Sequence, residues 1–157
     1  FSKINDHALT LWATILEACP HSKLMFKNHQ LKDSHTKTQL LESLKKLGIS
    51  ANRILLEEGG SRAHYFAAYH SVDLMLDTFP FPGGTTTCEA LWMGVPTLTL
   101  AGNTLLERQG MAMLSCVGLD DWIAHNDDDY KQKAILKTYM QAWVFHMQCV
   151  GWVQMVV

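Results

Sequence analysis

The stretch from Val72 to Pro96 limits what this chain can become more than any other. Val72-Asp73-Leu74-Met75-Leu76 is a short apolar run bounded by turn formers, which predicts a buried strand. Pro80 and Pro82 end it, because proline has no N–H to give to a ladder. Gly83-Gly84 lets the backbone turn sharply and leaves room for a close approach. Thr85-Thr86-Thr87 supply helix-cap candidates, and Cys88 to Met93 predicts a helix that stops at Gly94. Strand, glycine turn and helix start, in that order, make an anion site in open α/β folds. The first helix amides and the positive end of the helix face a phosphate-sized gap. The same order also serves where a backbone merely bends, so a purely structural loop stays open as a reading. The loop is neither a Walker motif, since no Gly-Lys-Ser/Thr closes it, nor a GxGxxG fingerprint. Glu89 has two readings as well. With Thr86 it has the spacing of a capping box, in which the carboxylate returns to a backbone amide. One turn into the helix, it also faces the ligand side, where it can hold sugar hydroxyls.

The rest of the chain alternates in kind. Asn5 and Asp6 cap a predicted helix whose apolar face carries Leu9, Trp12, Ile15 and Leu16 and which ends near Pro20. Ser22 to Lys27 predicts a strand, Ser34 to Leu47 an amphipathic helix closed by Gly48, and Arg53 to Leu56 another strand. A short helix over about Ala63 to His70 leads back to the Val72 strand. Thr97 to Leu100 follows as a strand, Leu105 to Cys116 and Asp120 to Ala124 as helices, and Asn126-Asp127 caps a last helix. This alternation predicts a parallel sheet with right-handed crossovers and helices on both faces. Ligands in such folds sit at the carboxyl ends of the strands, which here collect Lys27–His29, Glu57–Arg62, Thr78–Thr87 and Ala101–Leu105. From about Lys137 the sequence becomes crowded with Met140, Trp143, Phe145, Met147, Val150, Trp152, Met155 and Val157 and poor in charge. This tail either packs onto the domain or forms a docking face.

A chain of 157 residues with 18% charged residues can bury a core of its own. A net charge of -2 leaves no basic footprint for nucleic acid. No apolar run reaches the ~20 residues of a membrane span. Cys19, Cys88, Cys116 and Cys149 are scattered, as expected of reduced thiols in a cytoplasmic protein. The eight histidines form no metal-ligand pattern, so no metal is expected. The chain opens without an initiator Met, as a piece of a longer protein would.

Leu-Asp-Thr-Phe-Pro from Leu76, Gly83-Gly84-Thr85-Thr86-Thr87-Cys88-Glu89-Ala90-Leu91-Trp92-Met93-Gly94-Val95-Pro96 and Thr99-Leu100-Ala101-Gly102 resemble the nucleotide-binding half of O-linked N-acetylglucosamine transferases of the SPINDLY type. The likeness extends upstream through Ser2-Lys3-Ile4 and Leu11-Trp12-Ala13, and downstream through Val117-Gly118-Leu119 and Asp129-Tyr130. It covers roughly residues 1–135. The resemblance implies a GT-B glycosyltransferase, of which this chain is the C-terminal, Rossmann-like half. It thus implies a nucleotide-sugar-binding domain over 1–136 and sets 137–157 apart as a helical tail foreign to the family. The family half begins with a strand that would precede residue 1, which implies an unpaired sheet edge and an invitation to self-association.

The site residues follow from the same likeness. Lys3 matches the lysine that contacts the donor diphosphate and supports the departing UDP. Gly83, Gly84, Thr85, Thr86 and Thr87 match the loop and helix start that receive the phosphates, and Glu89 matches the acid that holds the ribose. Arg62 and Tyr65 fall around the uridine; better-known members have a histidine where Tyr65 stands, and His64 is its neighbour here. The reaction implied is inverting transfer of N-acetylglucosamine from UDP-N-acetylglucosamine to Ser or Thr hydroxyls of proteins. It is supported by a lysine and helix amides without a metal or other cofactor. His64 is the nearest candidate base, but it matches the nucleotide side. Acceptor groups and base are expected in the other half and in preceding tetratricopeptide repeats, so these residues alone are expected to bind UDP and transfer no sugar. The alternatives are a transferase of another nucleotide sugar, or a non-catalytic nucleotide-sugar-binding or interaction domain.

Overall fold

A computed structural model of the chain describes residues 3–144 and 152–156. Helix α1 (Asp6–Ala18) starts where the Asn5 side chain accepts the Ala8 amide at 2.9 Å, and buries Leu9, Trp12, Ile15 and Leu16. Strand β1 (Lys23–Asn28) is buried through its middle, as a central parallel strand must be. Helix α2 (Ser34–Lys46) is capped by Asp33, which accepts the amides of His35 and Thr36. Strand β2 (Ile54–Glu58), helix α3 (Arg62–Ala68) and strand β3 (Leu74–Leu76) follow. Helix α4 (Thr85–Trp92) ends at Gly94, whose φ of +78° lets the Val95 amide reach back to the Ala90 carbonyl at 2.9 Å. Strand β4 (Thr97–Leu100) and helix α5 (Gln109–Cys116) come next. The chain closes with β5 (Ile123–Ala124), α6 (Asp127–Val144) and β6 (Trp152–Val156).

The six strands lie in the order β2-β1-β6-β3-β4-β5, and every pairing is parallel. Side chains alternate across β3 and so divide the core. Leu74 and Leu76 join α1, α2 and α6 in the larger cluster, while Met75 faces Tyr69, Ala90 and Val95 on the α3–α4 side. The parallel α/β class and the helices on both faces are as the sequence predicts.

Four local expectations change. Residues Asp120–Ala124 are not a helix: a single 3-10 turn over Asp120–Trp122 hands over to β5, because buried Ile123 and Ala124 complete the sheet beside β4. Helix α5 begins at Gln109 rather than Leu105, since the Glu107 carboxylate takes the amides of Asn103 (2.7 Å) and Thr104 (3.1 Å) and folds 103–107 into a turn. The boundary at 136/137 falls inside α6, and 152–156 is a strand, so 137–157 is not a separate helical tail. Finally, β6 fills the position between β1 and β3, where doubly wound sheets place the strand that precedes the first helix. The edge expected to be open is therefore paired. The physical reason is the row of backbone groups on β1 and β3, which at the centre of a sheet must find partners. Of the residues singled out in the sequence, Ser2, Phe145, Met147, Cys149, Val150 and Val157 lie outside the described residues. Among the described residues no helix is long and apolar enough to cross a membrane.

Candidate functional site

The chain leaves β3 through Asp77, which is 1% exposed and organises the loop that follows. Its Oδ1 accepts the amides of Gly83 (2.6 Å) and Thr78 (2.9 Å), and its Oδ2 accepts the Thr99 hydroxyl at 2.8 Å. Burial pushes the Asp77 carboxyl up to about 6, against the pull of those donors and of the nearby Lys3 charge. Phe79 is driven into the core against Trp12 and Tyr130, and the Tyr130 hydroxyl donates to the Asp77 carbonyl at 3.2 Å. A Cβ on Gly83 would come within 2.5 Å of the Thr86 hydroxyl and 2.7 Å of the Thr87 hydroxyl, so a side chain at this position would have to displace them. The Gly83 amide, held by Asp77, is committed to the fold and is not offered to a phosphate, contrary to the sequence expectation.

The helix that follows starts bare. Gly84 is the N-cap of α4 and no side chain caps it, which leaves the first-turn amides of Thr85, Thr86 and Thr87 without a partner inside the helix. Thr85 and Thr86 line a cleft of about 430 Å³. Thr87 is fully buried and its hydroxyl has no hydrogen-bond partner. Because α4 begins one residue before Thr86, the capping box cannot form. The Glu89 carboxylate instead lines the cleft and meets Arg62 Nη2 at 3.3 Å. Beside it the Tyr65 and Tyr69 hydroxyls share a hydrogen bond of 2.9 Å. Burial, with a smaller contribution from the Glu89 charge, raises the Tyr65 hydroxyl to about 12, so it remains protonated next to the acid.

The opposite wall comes from the carboxyl ends of β1 and β2: Lys27, Asn28, His29, Gly59 and Gly60. Lys27 is 2% exposed, and its ammonium donates to Glu57 at 2.6 Å and lies 3.4 Å from His64 Nδ1. The His29 ring lies flush on Gly59, and a Cβ on Gly60 would come within 2.7 Å of His64. Both glycines are small because two histidines press on them.

Of the residues nominated from sequence, the structure brings Arg62, Tyr65, Thr85, Thr86 and Glu89 into one cleft. Gly84 stands at its helix start against Gln109, while Gly83 and Thr87 are buried behind it. His64 turns to Lys27, its Nδ1 3.4 Å from the ammonium, and does not itself line the cleft. Lys3 does not line the cleft. Its ammonium donates to the Pro82 carbonyl at 3.1 Å and lies over the Phe81 ring, on the loop that leads into α4. Sequence reasoning missed Asp77 as the loop's anchor, and it placed Lys27–His29 and Glu57–Arg62 at the ligand edge without naming Lys27, His29, Gly59 or Gly60 as site residues. Their only signal was their place at strand ends, where the fold puts ligands. Among the described residues no three His, Cys, Asp or Glu side chains converge as a metal site.

Comparison with known proteins gives a consistent set of likenesses. The model of the family described as glycosyl transferase family 41 matches residues 1–155, well past the boundary expected at 137. The probable UDP-N-acetylglucosamine–peptide N-acetylglucosaminyltransferase SPINDLY of Solanum lycopersicum is 38% identical over 135 residues, which are 85% of this chain and 14% of that protein. The SPINDLY protein of Arabidopsis thaliana is also 38% identical over 135 residues, 85% of this chain and 15% of its own length. The UDP-N-acetylglucosamine–peptide N-acetylglucosaminyltransferase of Caenorhabditis elegans is 25% identical over 134 residues, 85% of this chain and 11% of its length. Among solved structures, a mutant of the Thermobaculum terrenum O-GlcNAc transferase superposes with a TM-score of 0.85 at 34% identity, covering 87% of this chain and 26% of that one. The chain thus spans a small part of the length of the relatives it matches.

Proposed function

Since the chain belongs to glycosyl transferase family 41, we propose that it forms the donor-binding half of an inverting GT-B enzyme that moves N-acetylglucosamine from UDP-N-acetylglucosamine to Ser or Thr hydroxyls of proteins. The observation that carries this reading is the meeting, in one cleft, of an uncapped helix start at Thr85–Thr86 with the Glu89 carboxylate. Amides and helix dipole suit a diphosphate, and a carboxylate one turn along suits the paired hydroxyls of a ribose. The Lys27–Gly60 wall, with its flat histidine and glycine surfaces, closes the nucleoside end.

Breaking the bond from the anomeric carbon to the diphosphate leaves negative charge on the departing UDP. Lys3 and the α4 amides meet that charge, in this reading without a metal, and stabilise it most where it is greatest, in the transition state. The acceptor protein and the base belong to other parts of the enzyme, and the setting is the cytoplasm.

Titration of the isotopically labelled chain with UDP tests the reading. The amides of Thr85, Thr86 and Thr87 should move while that of Gly83, already held by Asp77, moves little. Unmoved α4 amides in a chain that binds UDP elsewhere would sink it. Tyr65, standing where better-known members have histidine, favours one rival: a different nucleotide on the same frame. GDP, ADP or CDP binding more tightly than UDP would establish that rival instead.

A further inference from the structure

We propose that Phe81 is a positioning residue for the Lys3 ammonium, its ring and the Pro82 carbonyl together holding the cation at the donor loop. This rests on the reading of Lys3 as the diphosphate contact. The Lys3 Nζ lies 4.4 Å from the Phe81 ring centroid and 3.1 Å from the Pro82 carbonyl oxygen, so two consecutive residues grip it from different directions. An ammonium has three N–H groups, and this arrangement leaves one of them for a phosphate oxygen.

Phe81 has little other reason to be aromatic. It is 45% exposed, between a core-bound Phe79 and a buried Gly83, and adds little to the interior. Its backbone, by contrast, is fixed: the Thr78 hydroxyl donates to the Phe81 carbonyl at 2.7 Å. The lysine's backbone is fixed as well. Two residues on, Asn5 donates to the Phe79 carbonyl at 2.6 Å while it caps α1. The N-terminal segment and the loop are thus stitched together at both Asn5 and Lys3. A lysine side chain left to itself spreads over many rotamers, and that freedom must be lost each time it meets a diphosphate. The ring removes much of it beforehand, which is how preorganisation raises affinity. The buried Asp77 carboxylate lies close enough to feel the Lys3 charge and adds to the hold on it.

A double-mutant cycle on this chain, read by calorimetry with UDP, decides the matter. Phe81→Leu should weaken UDP about threefold, the span of an exposed cation–π contact. Phe81→Tyr should restore it, because a phenol face also holds a cation. Lys3→Met should weaken UDP about tenfold or more, since it removes the charge itself. In the Lys3→Met background, Phe81→Leu should then change nothing further. Uridine, which has no phosphate, should bind all five proteins alike. Equal weakening by Phe81→Leu in both backgrounds would mean that the ring touches the nucleotide directly, and would overturn the proposal. So would an unchanged affinity in Phe81→Leu beside a weakened Lys3→Met, and in that case the donor-site reading would survive. If Lys3→Met binds UDP like the parent, the leaving-group role of Lys3 fails and the positioning role goes with it. Thermal melts check that the exposed position tolerates the changes.

Discussion

On the α4 side of the cleft the main chain does the holding, whereas on the β1–β2 side the side chains do. The loop before α4 is pinned by amides that converge on a buried Asp77, and it ends in amides with no cap. The facing wall rests on a Lys27–Glu57 ion pair and on two histidines laid against glycines. A main-chain wall presents donors that any diphosphate can use, and its shape cannot survive loss of the anchor. A side-chain wall can be edited one group at a time. Each consequence can be measured.

The largest effect belongs to Asp77→Ala. It removes the acceptor of three buried donors, two of them backbone amides, and should cost on the order of 3–5 kcal/mol in urea unfolding. UDP binding should fall with it, since Thr85 loses its support. A loss below about 1 kcal/mol would show that the loop holds its shape without the carboxylate.

Next comes the pH dependence of the same group. Burial raises the Asp77 carboxyl from 3.8 to about 6, so the folded protein holds this proton more tightly than the unfolded chain does. The stability linked to it is fully present below about pH 4 and is lost as pH rises through about 6, up to roughly 3 kcal/mol for a shift of two units. Asp33, Glu58, Glu107 and Asp128, whose values are lowered, add the opposite slope. The comparison is therefore between the parent and Asp77→Asn, which cannot titrate. Relative to the parent, the variant should gain stability steadily from pH 4 to pH 6.5. Parallel profiles would mean that Asp77 does not titrate in that range.

Glu89→Gln follows. With Glu89 lining the cleft and not capping α4, the variant should weaken UDP by about tenfold and shift the melting temperature little. A destabilised protein with unchanged affinity would return Glu89 to a structural role.

The α4 wall was the legible one, and the reason is local. A strand, two prolines, two glycines and three threonines act through nearest neighbours, so β3, the turn and α4 can be read in order. Glu89 also became decidable once the helix start was placed one residue before Thr86. Asp77 was not legible, because an aspartate at a strand end looks the same whether it is solvated or buried under Thr99 from 22 residues on. Lys27 failed for the same reason: its partner Glu57 lies on the neighbouring strand, and only the β1–β2 register joins them. The strand pairing of β6 depends on two partners, each more than 70 residues away, and no property of 152–156 by itself announces a place in the middle of the sheet. Ile123–Ala124 went wrong in the same way, two residues whose strand state is decided by β4.

The smallest expected effect is that of Lys27→Met, and it tests the side-chain wall directly. Removing one partner of a fully buried ion pair usually costs several kcal/mol, because the other charge is stranded away from water. Here the partner is not stranded: the Glu57 side chain is 38% exposed against 1% for Lys27, so water can take over the carboxylate. Methionine also refills most of the space of the lysine stem. The expected cost is about 1 kcal/mol, with the parallel sheet intact by circular dichroism. What should change is the wall's geometry, since His64 loses the ammonium beside its Nδ1 and the Gly60 turn loses a support. Uridine and UDP affinities should therefore fall together, by the same factor, in contrast to the phosphate-selective losses expected at α4 and Lys3. A cost above about 3 kcal/mol would mean that Lys27 anchors the fold as Asp77 does, and the two walls would then be built alike.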